Sequence, residues 1–324
     1  MEEKSSPGRQ PLIIVAGPTA SGKSAAAVEL ALRMNGAVIS ADSMQVYRGM
    51  DIGTAKVTKE ETRGVPHYLI DCIDPSEEWN VVRFQKCARD AAAGIAAGGK
   101  LPILCGGTGF YIQALLYDID FTQMEENRPL RERYAALAAE KGPEALHAIL
   151  AEQDPASAAA IHPRNVKRVI RALEFLEESG GSIAAHNKEQ RERPAFYNAA
   201  FFVLSMDRSK LYARIDRRVD LMMERGLVEE VARLREQGIP RDSTAMQGIG
   251  YKQIYSYLEG DYDLDEAVRL VKRDTRRFAK RQLTWFHRER DVIWLDPDRF
   301  EDSRGLWDHM QRTAEEVLGR RYSD

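Results

Sequence analysis

The sequence predicts an α/β fold, a parallel sheet flanked by helices and interrupted by an all-helical insertion. Three observations carry this. Short apolar, β-branched runs alternate with helical stretches, the rhythm of successive βαβ units. The runs are apolar throughout rather than alternating, as expected of strands covered on both faces. A stretch of helical periodicity alone, about 120–197, separates the early strands from a later one.

Taken in order, residues 12–16 form the first strand and residues 17–24 a glycine loop. An alanine-rich helix follows to about Met34 and is stopped by Gly36. Residues 37–40 are a second strand, with Asp42 just beyond it. Residues 43–66 carry four breaks, Gly49, Gly53, Gly64 and Pro66, and read as a functional loop with some helix. Residues 67–71 read as a third strand, 81–97 as a helix and 101–105 as a fourth strand. The turn Gly106, Gly107, Thr108, Gly109 then opens a helix to Leu116. From 128 to 187 the pattern is helical, broken at Gly142, Pro155, Pro163 and Gly180. Residues 199–205 are a strand, about 208–237 and 263–287 are helices, and 292–295 is a last strand. The expected core is therefore 1–119 with 198–324, and the insertion is 120–197. A length of 324 residues fits about two domains at ~150 residues each.

Apolar residues make up 44% and charged residues 30% of the chain, as in ordinary soluble proteins. No run approaches the ~18 apolar residues of a membrane span. The polar N-terminus (residues 1–10) and the short apolar run after it do not make a signal peptide. The cytoplasm is the expected location, with no membrane partner. Cys72, Cys87 and Cys105 form no CxxC pair, so neither a disulfide framework nor a zinc site is expected. All three read as buried small hydrophobes.

The strongest motif is Gly17, Pro18, Thr19, Ala20, Ser21, Gly22, Lys23, Ser24, a complete G-x-x-x-x-G-K-[ST] between a strand and a helix. Such a loop turns backbone N–H groups and a helix N-terminus toward phosphate. Lys23 adds charge, and the Ser24 hydroxyl is placed to hold Mg²⁺. The core thus reads as a P-loop NTPase-like parallel sheet. Asp42 suits a Mg²⁺ ligand, a general base, a helix cap or a turn aspartate. Asp71 suits a Walker-B-type Mg²⁺ ligand or a turn residue, and Thr108 a hydroxyl facing the cleft or a cap. Arg214 and Arg218, at i and i+4, either reach a diphosphate or pair with Asp216 or Asp220.

A net charge of −3 argues at face value against a nucleic-acid partner. The basic residues, however, are clustered. Arg164, Lys167, Arg168 and Arg171 gather in the insertion. Nine Lys and Arg stand against two acids in 269–290, a local balance of +7. Phe278, Trp285 and Phe286 lie among them. Such a stretch suits RNA contact, or a solvated helix face with core aromatics.

Together, GPTASGKS, the segment ISADSMQVYRGMDIGTAK (39–56) and GGTGFYIQALL (106–116) resemble the tRNA dimethylallyltransferases. So do HPRNVKRVIRALE (162–174), ARIDRRVDLMMERGLVEEV (213–231), MQGIGYKQ (246–253) and TRRFAKRQLTWFH (275–287). The likeness runs from about 12 to 290. The chain lacks the C-terminal zinc-finger extension of some eukaryotic members and so resembles the bacterial type. The resemblance implies transfer of a dimethylallyl group from dimethylallyl diphosphate to N6 of the adenosine 3′ of a tRNA anticodon. It implies Mg²⁺, a monomer, and a P-loop that holds diphosphate rather than hydrolysing a nucleotide. Asp42 is then the base, Thr108 lies at the reacting groups, and Arg218 stabilises the leaving diphosphate beside the P-loop and Arg214. The anticodon stem-loop is expected to meet Asp42, Ser43, Met44 and Gln45, then Lys167, Arg168, Val169, Ile170 and Arg171. Gln247, Lys252, Arg276, Arg277, Lys280 and Arg281 are plausible further contacts.

Three rivals share part of this pattern. A P-loop small-molecule kinase needs neither the 42–45 segment nor the 275–287 stretch. A prenyltransferase acting on free AMP or ATP has no need of the +7 stretch. A nucleotide-dependent RNA-binding protein has no need of Asp42 as a base.

Overall fold

The computed structural model describes residues 9–121 and 127–319. Most of the polar N-terminus, residues 1–8, lies outside the described residues. The chain divides into two compact units, one of Met1–Leu116 with Phe196–Asp324 and one of Tyr117–Ala195. The insertion thus starts and ends a few residues earlier than its helical periodicity suggests.

All six expected strands form: β1 (Pro11–Ala16), β2 (Gly36–Ser40), β3 (His67–Tyr68), β4 (Leu101–Gly106), β5 (Asn198–Leu204) and β6 (Val292–Leu295). They make one parallel sheet in the order β3-β2-β4-β1-β5-β6. β1 sits between β4 and β5, with Val15 level with Cys105 and Phe202. β2 and β4 are buried from end to end, and β1 is buried beyond Pro11, which is why these runs are apolar without alternation. A parallel sheet places every strand's C-terminal end on one rim. That rim carries the segments after β1, β2 and β4, so the P-loop, Asp42 and Thr108 share an edge. β3 is shorter than the apolar pattern suggests. Leu69 and Asp71 take left-handed φ values of 62° and 54°, which turn the chain out of the sheet.

The core unit continues with α1 (Lys23–Arg33), α2 (Lys59–Thr62), α3 (Val81–Ala97) and α4 (Gly109–Leu116). α1 buries Ala26, Ala27 and Ala31 with Val28 and Leu30. Small side chains let it lie close to the sheet. The inserted unit holds α5 (Arg128–Lys141), α6 (Pro143–Gln153), α7 (Pro155–Ala160), α8 (Val166–Ser179) and α9 (Ile183–Glu192). Its breaks fall at the expected Gly and Pro positions. It has its own core, including Leu130, Leu146, Leu150, Val169 and Leu173. After β5 come α10 (Arg208–Glu224), α11 (Leu227–Glu236), α12 (Tyr251–Leu258), α13 (Leu264–Phe286) and, beyond β6, α14 (Ser303–Leu318). α14 was not evident from the sequence. Its Leu306, Met310, Ala314 and Leu318 pack into the cluster that holds α1 and the sheet.

Among the described residues no helix is long and apolar enough to cross a membrane. The cysteine reading needs correction. Only Cys105 is buried; Cys87 is partly exposed and Cys72 is exposed, because it lies beyond the shortened β3.

Candidate active site

A cleft of about 550 Å³ opens at the C-terminal rim of the sheet, within the core unit. The P-loop forms its floor. Lys23 Nζ curls back to donate to the Pro18 carbonyl at 3.3 Å. Burial lowers the Lys23 pKa, Asp42 only partly opposes this, and the like charge of Arg218 adds to it. Burial likewise pushes the Cys105 thiol beneath it up to about 11. Ala20 takes a left-handed φ of 66°, a strained conformation of the kind concentrated at ligand-binding loops. The Ser21 hydroxyl is buried with no hydrogen-bond partner among the described residues. Ser24, in the first turn of α1, also lines the cleft.

Two arginines of α10 join the loop. Arg218 donates to Thr19 Oγ1 at 3.2 Å. Burial lowers its pKa, and the like charge of Arg214 adds to the effect. Arg214 is beside Gly22: its guanidinium is 3.9 Å from where a Cβ on that glycine would stand. The alternative that these arginines merely pair with Asp216 or Asp220 fails. Those carboxylates are held by Arg276 and Lys272 instead. Three cations therefore converge on a loop already rich in N–H donors, the arrangement of an anion site.

Asp42 lines the same cleft. Its Oδ1 accepts from the Met44 N–H at 2.9 Å, a short Asx turn rather than a helix cap. Oδ2 has no hydrogen-bond partner among the described residues. Thr108 also lines the cleft. Its carbonyl accepts from Tyr111 and Ile112, and its N–H donates to Ala41. Its carbonyl opens α4, but its hydroxyl is left without a protein partner among the described residues, so the side chain does no capping. Ser43, Met44, Gln45, Gln247 and Lys252 border the cleft as well. The Gln45 and Gln247 amides, though, serve the fold. Gln45 accepts from Ser40 Oγ and donates to the Thr54 and Ala55 carbonyls, and Gln247 donates to Arg241 O.

Asp71 is a correction. Its carboxylate pairs with Lys56 at 2.5 Å and is not among the groups lining the cleft. The turn that shortens β3 carries it outward, so it has no Walker-B place.

Two residues that lie inside the family-like segments 275–287 and 213–231, but to which the sequence assigns no role, organise the site. Gln282 of α13 accepts from the Thr19 N–H at 3.0 Å and donates to Gly107 O at 2.9 Å. A Cβ on Gly107 would stand 2.1 Å from Gln282 Nε2, and one on Gly109 2.1 Å from the Trp285 ring. The glycine turn before α4 thus admits α13 at close range. Glu230 of α11 is buried and accepts from the N–H groups of Asp51, Ile52 and Gly53 at 2.9–3.0 Å and from Tyr251 OH at 2.6 Å. It pins the MDIGT loop, whose next carbonyls hold Gln45.

The basic stretches need revision too. On α13, Arg269 pairs with Glu266, Lys272 with Asp220, Arg273 and Arg277 with Asp274, and Arg276 with Asp216. Lys280 and Arg281 have no ion pair among the described residues. Arg281 lines the cleft, 5.7 Å above the Phe278 ring. Phe286 is fully buried and is a core residue. On α8, Lys167 and Arg168 are exposed. Val169 and Ile170 are buried in the core of the inserted unit, so their side chains offer nothing to RNA. Arg171 is drawn to the buried Glu174, together with Arg131.

Fold and cleft together define a parallel α/β protein whose glycine loop and its cations lie in one cleft with the half-free Asp42 carboxylate. Residues 45–289 match the family described as IPP transferase, and residues 10–73 that described as isopentenyl transferase. The chain belongs to the IPP transferase family. It is 53% identical over 311 residues to the tRNA dimethylallyltransferase of Lachnoclostridium phytofermentans, covering 95% of this chain and 99% of that one. The Bacillus subtilis tRNA dimethylallyltransferase is 49% identical over 288 residues, covering 89% and 91%. A crystal structure of the tRNA isopentenylpyrophosphate transferase from Bacillus halodurans is 44% identical with a TM-score of 0.71, covering 96% and 98%. A eukaryotic dimethylallyltransferase acting on tRNA is 29% identical with a TM-score of 0.81, covering 96% and 80%.

Proposed function

We infer that this chain is a prenyltransferase that moves a dimethylallyl group from dimethylallyl diphosphate to N6 of the adenosine 3′ of a tRNA anticodon. The observation that carries the reading is one cleft in which a cationic P-loop faces a half-free carboxylate, in a chain of this family. The allylic C–O bond breaks and its electron pair leaves with diphosphate. The N6 lone pair forms the new C–N bond, and an N6 proton passes to Asp42 Oδ2. The adenine amine is a poor nucleophile, because its lone pair is delocalised into the ring. Withdrawal of the proton by a positioned carboxylate is the help it needs. Lys23, Arg218, Arg214 and the loop N–H groups stabilise the charge that develops on diphosphate. The Thr108 hydroxyl is a donor for the bridging oxygen or the adenine.

Among the described residues no three His, Cys, Asp or Glu side chains gather as a metal cage. Mg²⁺ fits such a site, because it is commonly held by few protein groups plus substrate phosphates. Ser24 would hold it, and its charge would ease departure of diphosphate. The target base is stacked in the anticodon loop, so extrusion costs a few kcal/mol. Lys167, Arg168, Lys252, Lys280 and Arg281, with backbone at 43–45, supply contacts that offset this. All the groups in the chemical step come from one chain, so no second copy is required, and the reaction has no membrane step. A cytoplasmic monomer is the consistent setting.

The test is substitution at both ends of the cleft. Lys23→Ala should weaken donor binding and slow transfer, whereas Asp42→Asn should leave donor affinity near wild type and abolish most turnover. Unchanged donor affinity and rate in Lys23→Ala would remove the diphosphate assignment.

A further inference from the structure

We propose that Gln282 is a positioning residue that fixes the distance between the donor-binding P-loop and the turn carrying Thr108. The proposal rests on the prenyl-transfer reading for its kinetic consequence, but not for its structural one. Gln282 is nine-tenths buried on α13, yet both ends of its amide are used, and on different loops. Oε1 holds the Thr19 N–H of the loop after β1, and Nε2 holds the Gly107 carbonyl of the turn after β4. β1 and β4 are neighbours in the sheet. One carboxamide, an acceptor and a donor on a single rigid plane, thus ties two adjacent strand ends.

The geometry leaves little slack. The point 2.1 Å from Nε2 where a Gly107 Cβ would stand is also 3.2 Å from the Gly17 carbonyl, so P-loop, turn and amide meet there. Pro18 has no N–H, and Thr19 is held on its backbone by Gln282 and on its hydroxyl by Arg218. Thr108 directly follows the residue whose carbonyl Gln282 holds. Phe278 and Arg281, on the same helix, line the cleft. The helix that presents Arg281 to the cleft is therefore the one that sets the two loops. A reacting carbon must sit within a near-attack distance of its nucleophile, and a misplacement of about 1 Å can cost ~10²-fold in rate.

Gln282→Met keeps length and packing and removes both hydrogen bonds. Hydrogen exchange of the full chain should then quicken in residues 17–24 and 106–109 together, while β1 and β4 stay protected. With labelled dimethylallyl diphosphate and unmodified tRNA, kcat should fall by about 10- to 100-fold, with donor KM and tRNA Kd within about threefold. Gln282→Glu keeps the acceptor toward Thr19 and loses the donor toward Gly107, so it should free the 106–109 turn alone. Unchanged exchange in both loops of the Met variant, or an unchanged kcat, overturns the proposal. So does equal release of both loops in the Glu variant. Release of both loops by Met in an enzyme whose wild type transfers no label would support the clamp and refute the prenyl-transfer reading instead.

Discussion

Asp42 divides its carboxylate: one oxygen fixes the Met44 amide, the other faces the cleft. That division suits a base, because the side chain is oriented without being neutralised. Asp42→Ala should lower turnover by about 10²–10⁴, while tRNA affinity, read by filter binding, stays near wild type. Lys23 sets a second residue-scale outcome. Burial lowers its pKa, and diphosphate binds the charged form. Affinity should therefore be full near neutral pH and fall as pH rises through the lowered pKa, sooner than an ordinary lysine would give. Calorimetry with inorganic diphosphate across alkaline pH reads this, and Lys23→Arg should hold affinity to higher pH. Asp42, Lys23 and Thr108 are legible in the sequence, because loop chemistry fixes residue type against spacing. Gln282 and Glu230 are not. A lone glutamine in a basic helix, or one acid on an amphipathic one, looks like surface until its partners are brought in from distant segments.

At the level of elements, apolar runs identify the six strands, since burial on both faces leaves no alternation to misread. β3 is overread because two left-handed residues end it, and nothing in an apolar pattern marks that. The charges on α13 are overread for a related reason: their partners Asp216 and Asp220 lie on α10, 50 residues or more away in sequence. Charge reversal at Lys280 and Arg281 should therefore reduce the salt slope of tRNA binding by about 2, near 1 per lost phosphate contact. Reversal at Arg276 and Arg277 should change it less, because their charge is already opposed. In the inserted unit, burial raises the Glu174 pKa, but hydrogen bonds from Arg131, Arg171 and the Asn127 N–H outweigh it and the net direction is down. A depressed pKa means the stabilisation is present above the ordinary glutamate range and is lost as pH falls through the folded value. Thermal melts should show this unit losing stability in acid, and Glu174→Gln should remove that pH dependence. Glu230→Ala should destabilise the core unit by about 3 kcal/mol, since it strands three backbone N–H groups and a buried hydroxyl.

For the molecule as a whole, the net charge of −3 conceals a division of labour. Acids on α10 and α13 neutralise most of the cations that look exposed in sequence, and a few unpaired ones remain at the cleft. The parallel sheet brings phosphate loop, carboxylate and hydroxyl to one rim because each follows a strand that ends there. The kinase, free-nucleotide and pure binding alternatives all accept that architecture and differ in whether a prenyl carbon is transferred at all and in what receives it. Incubation with labelled dimethylallyl diphosphate and unmodified tRNA, with AMP and ATP present as competing acceptors, separates them. Label should appear on the adenosine 3′ of the anticodon in tRNA and on neither free nucleotide; label on AMP or ATP, or none transferred, would contradict the account.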